Sequence, residues 1–545
     1  MQADYVVVGA GSAGCTVAAR LAESGASVIL LEAGPSDWYP MIHIPAGMRS
    51  LLRNPLVNWN YTTEPEKGSG ERRLDWPRGR TLGGSSSING MLYVRGAPAD
   101  FDGWAQMGCR GWTYDEVLPY FMKSEHYVQK GDPEVRGQGG PLKVEDYRTI
   151  LPLTHRFVEA AQQAGFPFNP DLNGKQRYGV GYSQMTRRGR WRGSTAQTFL
   201  REARGRPNLR VETDAQGGTL LFEGKRCTGV TFRRGGNLTT VRANREVIVS
   251  GGTVNSPHIL QISGVGPAAH LQSLGIPVVH DLPGVGSHLI DHYVVRVVNR
   301  VQGTPTVNEL ARFPGVLPEI ARFFLTGKGA LTFGVTTAQV FCDSREGLAS
   351  PDLQLLFTPG STNTLKFGQL DDKPAMSCVV CVVKPDSRGT IMAESADPFA
   401  RPAIRPNYFT TRTDELALLS GVRHVRRIFA SPALAPHSLG ETSPGPDLKS
   451  DAELLAYARR AGNTLYHPVG TCKMGEDPRA VVDSRLRVRG VQGLRVIDAS
   501  VMPTLTTGNT NAPTIMIGEK GADMIRGRSI ARDDMAAPAR ALAAE

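Results

Sequence analysis

The hexapeptide GAGSAG, from Gly9 to Gly14, constrains the fold of this chain more than any other feature. It follows an apolar run, Tyr5–Val8, and precedes a helix-like stretch from Cys15 to Ser24 and a second apolar run, Ser27–Leu31. That order is a βαβ unit. Gly9, Gly11 and Gly14 fit the GxGxxG spacing, with Ser12 and Ala13 between them. Their missing side chains permit a tight strand-to-helix turn and let backbone N–H groups approach a pyrophosphate at a helix N-terminus. Gly25 stands where a helix C-cap is expected. Glu32, followed by Ala33, ends the second strand, where an acid binds ribose hydroxyls and repels the 2′-phosphate of NADP. A dinucleotide is implied, either FAD or NAD.

The rest of the 545 residues can bury an ample core around such a cofactor. The fold class expected is α/β: a Rossmann-like domain formed by residues 1–150, 181–295 and 461–526, with an inserted mixed-sheet substrate domain formed by 151–180 and 296–460. The Ala/Arg-rich tail, 527–545, reads as disordered. A formal charge of +11 raises the question of nucleic acid, but the basic residues are scattered and form no block interleaved with aromatics. No apolar run is long enough for a membrane helix, and no signal peptide fits before Tyr5. Seven cysteines suit reduced thiols rather than a disulfide framework. The expectation is a cytoplasmic protein, with peripheral membrane attachment left open. Cys378 and Cys381 form a CxxC inside an apolar run, where a strand would send the two thiols to opposite faces. Neither metal nor redox chemistry is expected there.

Further motifs carry a resemblance. GRTLGGSSSINGMLYVRG (Gly79 to Gly96) and GTVNSPHILQISGVG (Gly252 to Gly266) are similar to the two signature segments of the glucose–methanol–choline (GMC) family of flavin oxidoreductases. VGSHLIDH (Val285 to His292), YHPVGTCKMG (Tyr466 to Gly475), VIDAS (Val496 to Ser500) and GNTNAPTIMIGEK (Gly508 to Lys520) continue the likeness in order. The resemblance implies FAD, with Gly83 and Ser85 at its phosphates or flavin edge and Asn89, Gly90 and Met91 beside the isoalloxazine. It further implies Asp498 at the ribityl chain and Ala499 at the pyrophosphate, while Thr510 and Asn511 meet the cofactor just before a helix that starts around Ala512–Pro513 and faces the flavin. Some members bind FAD covalently through a histidine; this chain has Ile88 there, so non-covalent FAD is expected.

The resemblance also assigns the chemistry. His467, one of eleven histidines, occupies the position of the catalytic base, and neutral imidazole is a natural proton acceptor near pH 7. Its partner, donating to the substrate oxygen, is Asn509 or Asn511; the downstream helix favours Asn509 and leaves Asn511 as a helix cap. Tyr466, Val294 and Trp59 are pocket candidates, although Trp59 could equally be a core residue. Choline-oxidising members have a glutamate where Val294 stands, so the substrate expected is an uncharged primary alcohol. Electrons would pass to a quinone-like acceptor or to O2. The alternatives are a redox-silent flavin lyase cleaving cyanohydrins, and a choline dehydrogenase.

Overall fold

The computed structural model describes residues 1–362 and 369–529. Strand Gln2–Val8 sits inside a seven-stranded sheet, and its Val6, Val7 and Val8 are buried on both faces. Such all-round burial is why this segment reads as a continuous apolar run. Val28–Leu31 and Asn237–Val249 flank it in parallel, and Leu209–Glu212 and Leu494–Val496 extend the parallel part. Arg226–Arg234 and Gln216–Glu223 add an antiparallel edge. Helix Ser12–Glu23 makes the crossover, packing Cys15, Val17, Leu21 and Ala22 into the sheet's core. It stops at Ser24 because Gly25 follows with φ +89°, a left-handed conformation.

The C-terminal helix, Asn511–Ile525, returns to lie against this first helix. Gly518 lets the two helices pack closely, since a Cβ there would come within 3.1 Å of the Ala13 carbonyl oxygen. Arg20 also clamps the two helices, reaching the buried Glu519 at 2.7 Å. The last and the first helices of the chain thus share one layer over one sheet.

A second seven-stranded sheet is antiparallel. Its order is Ser438–Ser443, Tyr293–Val301, Ala375–Val382, Leu353–Thr358, Ala338–Cys342 and Gly179–Tyr182, with Asn463–Thr464 beside Tyr293–Val301. The strands Gly179–Tyr182, Tyr293–Val301 and Asn463–Thr464 lie across or beyond the sequence boundaries drawn at 180, 296 and 460. Helices Pro152–Gln163, Arg412–Phe429 and Asp451–Ala461 cover one face, where Phe157 stacks on Phe357 with ring centroids 4.1 Å apart. The opposite face presents Val294, Leu356 and Cys381.

Cys378 and Cys381 lie on Ala375–Val382 and are buried in the two different clusters on its two sides. All seven cysteines are buried and unpaired. Among the described residues no group of three His, Cys, Asp or Glu could hold a metal, and no helix is long and apolar enough to cross a membrane. Of the expected tail, residues 530–545 lie outside the described residues.

Candidate active site

A cavity of about 1230 Å³ lies between the two sheets, and its lining includes most of the site residues expected from the sequence. At its first end is the glycine turn. A Cβ on Gly14 would lie 1.9 Å from the Gly9 oxygen and one on Gly9 2.4 Å from the Ser250 oxygen, so these two glycines allow backbones to touch. Gly11 differs, because a Cβ there would meet nothing within 4 Å. It borders the cavity, and the space above it is what a close-approaching phosphate requires. The Glu32 carboxylate accepts from the N–H groups of Ala10, at 3.0 Å, and Gly34, at 2.9 Å. It therefore shapes the turn while bordering the cavity. Burial, opposed by those two bonds, moves its pKa up to about 7. Ser12, Ala33, Ser85, Asn89, Gly90, Met91, Ala499 and Thr510 line the same cavity. Gly83 adopts φ +86° behind it, where a Cβ would strike the Ser87 hydroxyl at 2.4 Å.

Three expected cofactor contacts have additional work inside the protein. Asn89 Oδ1 accepts from Met91 N at 3.0 Å and Arg192 Nη1 at 2.8 Å, which fixes the amide. Asp498 accepts from Gly252 N at 2.9 Å, Ser256 Oγ at 2.5 Å and Ser500 N at 2.8 Å, tying the strand end to the second signature segment. Asn511 is not the helix cap expected of it. Thr510 is the N-cap, without a side-chain capping bond, and Asn511 opens the helix. Its Oδ1 instead accepts from Ser12 Oγ at 2.7 Å, joining the N-termini of the first and last helices. Neither N-terminus has a side-chain capping bond, and the first-turn N–H groups of a helix lack intrahelical partners, an arrangement suited to an anion. Ile88, buried at 3%, packs with Ile42, Leu51 and Val57 and offers no nucleophile.

At the other end His467 and Asn509 come together, with Nε2 and Nδ2 3.1 Å apart. His292 Nε2 lies 3.0 Å from the Val383 carbonyl oxygen, which can only accept. His292 therefore donates from Nε2 and keeps a lone pair on Nδ1. That atom is 2.9 Å from His467 Nδ1, so His467 donates there. The outcome is a lone pair on His467 Nε2, facing the amide hydrogens of Asn509. Asn509 Oδ1 accepts in turn from Gln354 Nε2 at 3.4 Å, and Gln354 donates to Gln339 Oε1 at 2.6 Å. Burial holds the His467 pKa well below its ordinary 6.5, and His292 and the cationic Arg78 push it the same way.

The loop carrying His467 is pinned from below. Asp291 accepts from His467 N at 2.8 Å and from Thr464 Oγ1 at 2.6 Å, and also from the Tyr408 hydroxyl. Arg78 Nη2 donates to the Tyr466 carbonyl oxygen at 2.7 Å, and Tyr466 is held at φ +67°. Non-glycine residues rarely adopt that conformation and do so where surroundings impose it. Tyr466, Val294 and Trp59 all border the cavity. Trp59 also stacks on Tyr61 at 5.7 Å, which makes it both a wall and a core-edge residue. The sequence reading passed over His292, Gln354 and Gln339; only the His292 motif was visible in it, without a role.

A dinucleotide cradle opening onto a histidine–asparagine pair defines the class, an oxidoreductase whose cofactor and substrate share one cavity. The chain belongs to the GMC oxidoreductase family, whose N-terminal model matches residues 3–294 and whose C-terminal model matches 385–518. Accordingly it acts on CH–OH groups, and its cofactor is FAD. It is 41% identical over 532 residues to an alcohol dehydrogenase [acceptor] of Pseudomonas putida, covering 96% of this chain and 95% of that one. It is 42% identical to the mitochondrial choline dehydrogenase of Homo sapiens, over 96% and 90% of the two chains. Among solved structures, pyridoxine 4-oxidase from Mesorbium loti superposes with a TM-score of 0.87 at 29% identity, over 97% of this chain and 100% of that one.

Proposed function

We propose that this enzyme oxidises an uncharged primary alcohol to the aldehyde, with His467 as general base and Asn509 as donor to the substrate oxygen. The single observation behind this reading is the directed row from Val383 O through His292 to the lone pair that His467 Nε2 turns toward Asn509 Nδ2. A substrate hydroxyl facing both atoms from the cavity side donates to Nε2 and accepts from Asn509 Nδ2, taking over the bond these two make with each other. As its proton leaves, alkoxide character builds on the oxygen, and the amide hydrogens stabilise it. When bound, FAD accepts the hydride from the carbinol carbon. Gly11, Ser12, Glu32, Ser85, Asn89 and Ala499 would hold that cofactor, non-covalently because Ile88 cannot link to it.

Val294 supports the exclusion of a cation such as choline, since it presents methyl groups where a carboxylate would be needed. Seven buried, unpaired thiols support a cytoplasmic site of action. For the acceptor we favour a quinone-like molecule over O2.

Anaerobic mixing with primary alcohols tests the reading: the flavin should bleach, and His467→Ala should slow bleaching by about 10²–10⁴ while retaining FAD. A flavin that stays oxidised while a cyanohydrin is cleaved would establish the lyase instead. Wild-type bleaching by His467→Ala would remove His467 as base.

A further inference from the structure

Strand Tyr293–Val301 sends alternate side chains to opposite faces. Val295 and Val297 enter the core beneath the helices, whereas Val294 belongs to the cluster on the cavity side. Arg296, two residues on, shares the face of Val294 and also borders the cavity. Its Nη1 donates to Thr362 Oγ1 at 2.6 Å, and it makes no ion pair among the described residues. Arg49, from the short helix Met48–Leu51, borders the same cavity and makes neither a hydrogen bond nor an ion pair among the described residues. Burial and then the charge of Arg296 bring the Arg49 pKa down to about 10. Arg296 is likewise within electrostatic reach of Tyr457 and Tyr466.

Two like charges kept together in a partly buried wall are costly unless an anion joins them. The FAD phosphates are not that anion, because their cradle is formed by Gly11, Ser12 and the two helix N-termini of the first sheet. Arg296, Thr362 and Tyr466 belong to the second sheet and its loops. The same cavity carries an apolar cluster of Val294, Val335, Leu356, Val379 and Leu465, with Thr358 and Ser377 also on its wall.

We infer that Arg49 and Arg296 form an anion subsite for the far end of the substrate, which is a primary alcohol ending in a carboxylate: an ω-hydroxy acid with a hydrocarbon spacer. A guanidinium pair matches the planar, two-oxygen carboxylate, and the spacer lies along the valines and leucines. The inference rests on the alcohol-oxidation reading and replaces the expected uncharged alcohol with one that carries a negative charge at its far end.

The test compares an ω-hydroxy carboxylate with the neutral primary alcohol of equal chain length, as kcat/KM for flavin reduction in the holoenzyme. The wild type should prefer the acid at least tenfold, and Arg296→Met and Arg49→Met should each lower that ratio about tenfold or more. An alkanoate of the same length, which has no hydroxyl to oxidise, should perturb the visible spectrum of the bound flavin, with Kd raised in both variants and at high salt. No preference for the acid in the wild type, or an unchanged ratio in both variants, overturns the subsite. If neither alcohol reduces the flavin while alkanoate binding still depends on the arginines, the subsite stands and the oxidation reading falls.

Discussion

The Nδ1 atoms of His292 and His467 lie 2.9 Å apart in a T-shaped pair, and only one proton can occupy the space between them. Because Val383 O claims the Nε2 hydrogen of His292, that proton belongs to His467. His292 thus selects the tautomer of His467 and, if His467 is the base as proposed, acts as a positioning residue. Replacing it by leucine should lower kcat for alcohol oxidation by about 10²-fold with KM near the wild-type value, since the substrate is not touched. A fall in FAD content to match the loss of activity would show a structural role instead.

The pH profile should follow from the same burial. A base works only when deprotonated, and His467 is held well below 6.5, so it remains deprotonated as pH falls through 6.5. The kcat/KM for flavin reduction should therefore stay flat from about pH 8 to below 6.5. A loss of rate with a midpoint near 6.5 would mean that an exposed, ordinary histidine is the base.

The two asparagines should separate. Asn509→Ala removes the donor beside His467 Nε2 and should slow flavin reduction by about 10²–10³. Asn511→Ala breaks the bond to Ser12 Oγ, so it should weaken FAD retention and cost about 1 kcal/mol of stability. Stopped-flow reduction and flavin content distinguish them, and exchanged phenotypes would reverse the assignment.

Gly11→Ala and Gly14→Ala should fail differently. At Gly11 the methyl enters open space, so the protein should fold and keep its thermal stability as apoprotein but emerge colourless. At Gly14 it would collide with the Gly9 oxygen, and little soluble protein should be recovered. Yellow Gly11→Ala protein with normal flavin content would show that no cofactor group approaches that glycine.

Local chemistry written in consecutive residues was legible without a structure. The βαβ unit could be read because buried parallel strands are uniformly apolar and the turn between strand and helix admits only glycine at Gly9 and Gly14. Both thiols of the CxxC were predictable from the two-residue period of a strand. His467 and Asn509 were found through motifs, and the fold brings them to 3.1 Å although 41 residues lie between them.

What lay outside the sequence was every relation set by packing. Asn511 looks like a cap because its position opens a helix, but its bond goes to Ser12, nearly the whole chain away. The direction of the proton on His467 depends on Val383 and His292, which reach it from a different loop and a different strand end. Nothing local distinguishes Arg296 from any other strand arginine until Arg49 is folded against the same cavity. Sequence patterns report a residue's own backbone and burial. The tautomer of a base and the charge of a pocket are decided by which distant groups the tertiary fold makes neighbours, since hydrogen bonds and Coulomb interactions act over ångströms and not along the chain.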